Sequence, residues 1–175
     1  MQGFYFITHA GLSRAGNESD VKHALAAGVR VGLAVDGSAS NDSSNMLLEA
    51  RQAMLLARLE RGLRREGEPR PGNWMSARQA LELATIRGAR VLGRDDIGAL
   101  EPGKCADFFS LDLGAIDYAG ALHDPVAATV FCAPTRARFT VVQGRVVVAD
   151  GRVVTLDMGP VIERHNRLAA ALARG

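Results

Sequence analysis

The side chain best placed for chemistry is the carboxylate of Asp36, in the run Val35-Asp36-Gly37-Ser38-Ala39-Ser40-Asn41-Asp42. A short apolar segment precedes it and a helical pattern follows. The aspartate therefore stands just past the carboxyl end of a buried parallel strand, where α/β barrels collect metal ligands and catalytic groups. A carboxylate there suggests hydrolytic metal chemistry, but one carboxylate cannot hold a metal. The four histidines, His9, His23, His123 and His165, show neither HxH nor HxxxH spacing, so no strand or helix offers two imidazoles to one ion. Leu122-His123-Asp124-Pro125 sets an imidazole beside a carboxylate, yet it reads as an Asx-type turn ahead of a strand. Oxygen side chains at Asp36, Ser38 and Ser40 suggest a calcium loop. That loop needs Gly at its sixth position and Glu at its twelfth, and Asn41 and Leu47 stand there. The run also fits an ordinary loop start, with Asp42 or Ser43 capping the helix that follows. GxSxG, Walker A and GxGxxG motifs are all absent.

The elements that must position Asp36 read as strand, loop, helix. Residues 1–18 read as an irregular leader. A short helix over Ser19–Ala27 ends at Gly28, a strand covers Val29–Val35, and a helix runs from about Ser44 to Arg64. Apolar residues at Met46, Leu47, Ala50, Ala53, Met54 and Ala57 recur at helical spacing, with Leu55 and Leu56 widening the stripe. Gly67–Asn73, with Pro69 and Pro71, is a loop. Ser76-Ala77-Arg78-Gln79 forms a capping box that opens a helix stopping at Gly93. Beyond residue 95 the pattern turns to β. Glu101-Pro102-Gly103-Lys104 fits a type II turn, and Cys105–Leu113 and Val126–Cys132 are strand candidates. Gln143-Gly144 and Asp150-Gly151 punctuate a three-stranded antiparallel meander. Pro160 sits near the first turn of a last helix. A single βα unit cannot complete a parallel sheet, so its strand needs parallel neighbours from elsewhere.

At 175 residues the chain is long enough to bury a core, and 47% hydrophobic and 23% charged residues suit a globular protein. The net charge of +2 gives no reason to expect a nucleic-acid partner. The arginines around Arg58, Arg61, Arg64 and Arg65 alternate with glutamates and read as a solvated helix face. Cys105 and Cys132 are isolated in apolar surroundings, as expected of two buried thiols in a reducing cytoplasm. No apolar stretch approaches the roughly 20 residues of a membrane span, and no membrane partner is expected. The first residues lack the pattern of a signal peptide.

The segment from Gly28 through Val35-Asp36-Gly37 to Asn45 resembles the last barrel strand of the amidohydrolase superfamily, in the branch of guanine deaminase and triazine hydrolases. Ala80–Thr85 through Gly88–Gly93 resembles the helix after the barrel. Ile97–Phe108 is similar to the return into a small β-sandwich, and Val141–Val148 to its closing hairpin. The resemblance covers about residues 21–173. It implies an α/β fold: the last strand and following helices of a metal-dependent hydrolase TIM barrel, with part of a β-sandwich. Residues 1–20 would be an unmatched leader, 21–95 the barrel portion, 96–158 the sandwich portion and 159–175 a terminal helix.

The same resemblance implies a zinc-dependent hydrolytic deaminase acting on a small purine-like heterocycle. Conversion of 8-oxoguanine to urate and ammonia is the favoured reaction. Asp36 would be both a zinc ligand and the base that takes a proton from zinc-bound water. Ser40, Asn41 and Asp42 would support the loop or, as favoured here, cap the helix. The superfamily's HxH pair, two further histidines and a proton-relaying glutamate have no counterpart in the chain, and Thr8-His9-Ala10 does not supply one. The expectation is therefore the carboxy-terminal part of such an enzyme, inactive and weakly zinc-binding alone. The alternative is a non-catalytic interaction module, whose unclosed sheet edge would favour self-association into a homo-oligomer.

Overall fold

A computed structural model of the chain describes residues 4–8, 24–35, 43–63, 74–132 and 136–174. Two compact units are present. The first comprises Met1–Lys104 and Leu113–Thr135, the second Cys105–Asp112 and Arg136–Gly175. The division falls after Lys104 rather than near residue 95, and residues 113–135 return to the first unit.

In the first unit, β1 (Phe4–Thr8) and β2 (Arg30–Ala34) pair in parallel, from Phe4 opposite Arg30 to Thr8 opposite Ala34. The expected irregular leader is thus a strand from residue 4 to 8, and it gives β2 one of the parallel neighbours it requires. Phe4-Tyr5-Phe6-Ile7-Thr8 is all aromatic or β-branched, which suits a pleated strand. Residues 24–26 are helical and close as expected at Gly28, whose φ is +75°. Gly28 donates to the Leu25 carbonyl and Val29 to that of Ala24.

Helix α1 spans Met46–Leu63, α2 Ala77–Leu83 and α3 Ile86–Val91. The Ser76–Gln79 capping box is formed in both directions, at 3.1 and 2.9 Å. The single helix expected up to Gly93 is broken at Ala84-Thr85. Thr85 leaves helical geometry, with φ −127° and ψ −102°, while its hydroxyl donates back to the Leu81 carbonyl at 2.8 Å. The chain still stops at Gly93, where Arg94 donates to Ala89 and Gly93 to Arg90, the paired bonds of a Schellman motif.

The largest correction concerns Val126–Cys132. These residues lie not in a strand but in helix α4, Pro125–Cys132. The Asp124 carboxylate accepts from the Ala127 amide at 2.9 Å and caps the helix, with Pro125 at the first helical position. Asp124 therefore caps a helix rather than turning the chain into a strand. A seven-residue apolar run fits a buried helix as well as a strand, and only its flanks decide.

The core of this unit packs Val31 and Leu33 of β2 with Ala50, Ala53, Met54 and Ala57 of α1. Met75, Ala77, Ala80 and Leu83 close one side, and Val130 of α4 joins them. Burial of Met54, Met75 and Leu83 contributes about 1.5–3 kcal/mol each. The arginine face of α1 is not wholly solvated. Arg58 donates to the Met75 carbonyl at 3.0 Å and stacks 5.2 Å from the Phe131 ring, Arg51 donates to the Phe131 carbonyl, and Arg61 lies over Trp74.

The second unit is a four-stranded antiparallel sheet in the order β3-β4-β5-β6: Phe108–Ser110, Phe139–Val142, Arg145–Ala149 and Arg152–Val153. The strand expected over Cys105–Leu113 is only the three residues of β3. Both hairpins turn as the sequence suggests, with positive φ at Gln143 and Gly144 and at Asp150 and Asp150's neighbour Gly151. Asp107 fixes the first hairpin by accepting from the Gln143 amide at 2.6 Å, beside a bond from Gly144 to the Ala106 carbonyl. Arg138 pairs with Asp112 and Asp150, each at 3.5 Å. Helix α5, Met158–Leu172, is capped by Asp157 and carries no buried residue.

Candidate functional site at the carboxyl end of strand β2

Strand β2 is buried at Val31, Gly32 and Leu33, so its register is fixed by the core. Because β1 runs parallel, Thr8 and Ala34 end side by side at one edge of the sheet. Ligands of parallel sheets gather outside that edge. Val35 follows the last residue of β2, and Asp36 comes next in the chain. Asp36 itself, with Ser38, Ser40, Asn41 and Asp42, lies outside the described residues, as do His9 and His23.

The far end of the connection is described. Ser43 and Ser44 are exposed, and Ser44 has φ +44°. The Asn45 side-chain oxygen accepts from the Leu47 amide at 2.9 Å and the Leu48 amide at 3.3 Å, so Asn45 caps α1. The capping role expected of Asp42 or Ser43 thus belongs to Asn45. One turn further on, Glu49 is buried at 3% exposure, within the packed face of α1. Sequence reading passed over it. The available signal was its place four and eight residues before Ala53 and Ala57, which puts a carboxylate on the core stripe.

His123 and His165 are exposed. Cys105 and Cys132 are of intermediate burial, not the buried thiols expected. Among the described residues the buried Tyr118 hydroxyl has no hydrogen-bond partner, and its pKa is raised above the usual phenol value by burial, then by Cys132 and Asp117. A cavity of about 220 Å³ lies at the other end of β2, lined by Gly28, Val29, Arg30, Arg87 and Arg90 among others. Among the described residues no group of three or more His, Cys, Asp or Glu could hold a metal ion, so the described donors do not make a zinc site.

A family model described as amidohydrolase family matches residues 7–151. The chain belongs to the amidohydrolase family. It is similar to 8-oxoguanine deaminase of Pseudomonas aeruginosa, with 47% identity over 150 residues, 86% of this chain and 31% of that protein. It is also similar to a solved structure of atrazine chlorohydrolase from Arthrobacter aurescens TC1 complexed with zinc. That likeness has a TM-score of 0.72 at 36% identity and covers 86% of this chain and 32% of the other. An adenosine deaminase of Xanthomonas campestris shares the fold, with a TM-score of 0.77 at 24% identity over 89% of this chain and 34% of the other. This amidohydrolase chain therefore spans about a third of the length of the relatives it matches. The match begins at Ile7, inside β1, so the segment first read as an unmatched leader lies partly within the family's own span. Among the described residues no helix is long and apolar enough to cross a membrane.

Proposed function

We propose that this chain is the carboxy-terminal part of a hydrolytic deaminase acting on a purine-like heterocycle, with 8-oxoguanine as the favoured substrate. The observation that carries the reading is the 47% identity to 8-oxoguanine deaminase over 150 residues, above the 44% over 142 residues shared with hydroxydechloroatrazine ethylaminohydrolase. In the reaction, water attacks the ring carbon that bears the exocyclic amine. The C–N bond breaks, ammonia leaves, and the water oxygen stays as a carbonyl, giving urate.

On this reading the first unit, Met1–Lys104 with Leu113–Thr135, is the end of a TIM barrel, and the second, Cys105–Asp112 with Arg136–Gly175, contributes the β-sandwich portion and the terminal helix. Asp36 is one carboxylate ligand of the enzyme's zinc and the acceptor of a proton from the attacking water. What supports this role is chain order: Asp36 stands two residues past Ala34, the last residue of β2. The histidine ligands belong to another part of the enzyme. The purified 175-residue chain should then hold no tightly bound zinc after dialysis and release no ammonia from 8-oxoguanine. One tightly held zinc per chain, measured by elemental analysis, would overturn this division of the site.

A further inference from the structure

We propose that the cavity at the amino end of β2 binds a small tetrahedral oxyanion of the phosphate class. Arg30, Arg87 and Arg90 border this one space of about 220 Å³, with Val29 and Val31 among its apolar walls. Strand β2 runs from Arg30 to Ala34, so roughly 13 Å separates the cavity from the edge that leads to Asp36. An anion held here would not meet a substrate at that edge, and its binding does not depend on the role of Asp36.

Two parts of the sequence bring the charges together. Arg87 and Arg90 stand three residues apart on α3 and so share one face of that helix. The same helix is anchored by buried Ala89 and Val91 and by the close approach of Gly88 to Gly32 of β2. That approach sets the two arginines beside the start of the strand, where Arg30 stands. Arg87 pairs with Glu82 at 3.6 Å, between side chains that are each 38% exposed. So long and exposed a pair contributes little and yields to a better-placed anion. Among the described residues Arg90 has no carboxylate partner. Guanidinium groups gathered around one space repel one another, and an anion between them replaces that repulsion with attraction. Each guanidinium is a planar fork of N–H donors that matches two oxygens. A carboxylate has only two oxygens to offer, whereas phosphate or sulfate can meet more than one fork. The space is several times the roughly 30 Å³ share of one water molecule, so such an ion fits. Gly28 and Arg90 on its border are exposed, which leaves the cavity open to solvent.

The test is titration of the 175-residue chain with inorganic phosphate at low ionic strength, followed by nuclear magnetic resonance of backbone amides and arginine Nε–H groups. Arg87→Gln and Arg90→Gln are compared with Arg152→Gln, which removes the same charge from β6 of the second unit. Saturable shifts should centre on residues 28–31 and 87–90, with half-saturation at or below about 1 mM. Each cavity substitution should weaken binding by about tenfold, as expected for loss of a charge-assisted hydrogen bond, while Arg152→Gln changes it by less than about twofold. Sulfate should compete, and chloride at equal ionic strength should not. Three results would overturn the proposal: no saturation by about 20 mM phosphate, unchanged affinity in both cavity variants, or equal weakening by Arg152→Gln. Arg90 is exposed, so its substitution leaves the fold intact and the comparison stands even if Arg87→Gln unfolds the chain.

Discussion

Gly32 of β2 and Gly88 of α3 meet backbone to backbone: a Cβ built on Gly32 would lie 2.8 Å from the Gly88 Cα. The contact sets how closely α3 approaches the strand that leads to Asp36. A Cβ on Gly88, by contrast, comes no nearer than 3.4 Å to the Leu83 carbonyl. The pair is therefore asymmetric. Gly32→Ala should destabilise the first unit by about 1–3 kcal/mol through overpacking. Gly88→Ala should be neutral or stabilise by up to about 1 kcal/mol, because alanine favours the helix. Urea unfolding of the two variants checks the difference.

Asn45 starts α1 and so fixes the end of the connection that carries Asp36. Its side-chain oxygen takes two amides of the first turn. Asn45→Ala should cost about 1 kcal/mol. Asn45→Asp should retain most of the stability. Thermal denaturation followed by circular dichroism measures both.

Tyr118 is 2% exposed and its hydroxyl makes no hydrogen bond to the described residues. Tyr118→Phe should then be neutral or stabilise by about 1 kcal/mol, since an unsatisfied buried group is removed. The sign with pH follows from the raised folded-state pKa. The unfolded phenol ionises near its ordinary value of 10.0 while the folded one stays protonated. The contribution of the buried neutral phenol is present below pH 10 and is lost as pH rises from there to the folded value. Denaturation midpoints of the wild-type chain should fall more steeply above pH 10 than those of Tyr118→Phe.

Asp107 clamps the Gln143-Gly144 hairpin. Asp107→Ala should lower the stability of the second unit by about 1–2 kcal/mol, because the bond is charge-assisted. Exchange of the Gln143 amide, read by nuclear magnetic resonance, should quicken accordingly.

Much of this architecture was legible because local chemistry and tertiary structure agree. The Ser76–Gln79 box, the stop at Gly93 and the turns at Gly103, Gly144 and Gly151 rest on bonds or φ values that the residue types themselves require. The misread elements are those where context decides. Val126–Cys132 has strand-like residues, and its cap at Asp124-Pro125 was the overlooked signal. Thr85 leaves helical geometry while its hydroxyl still bonds to the Leu81 carbonyl. The Gly32–Gly88 approach joins residues far apart in sequence and leaves no local mark. At the site, the end of β2 was legible from the apolar run before Asp36. The cap at Asn45 and the burial of Glu49 were not, because each depends on where α1 begins and which face it presents.

The most direct measurement of the central claim uses a chimera. The 150 residues of this chain that match the Pseudomonas aeruginosa 8-oxoguanine deaminase replace the matching third of that enzyme. Urate and ammonia release and zinc content are then measured with and without the Asp36→Asn substitution. The account predicts a zinc-loaded chimera that deaminates 8-oxoguanine and loses activity by about a hundredfold or more with Asp36→Asn. A folded, zinc-loaded chimera that turns over equally well with the substitution would contradict it.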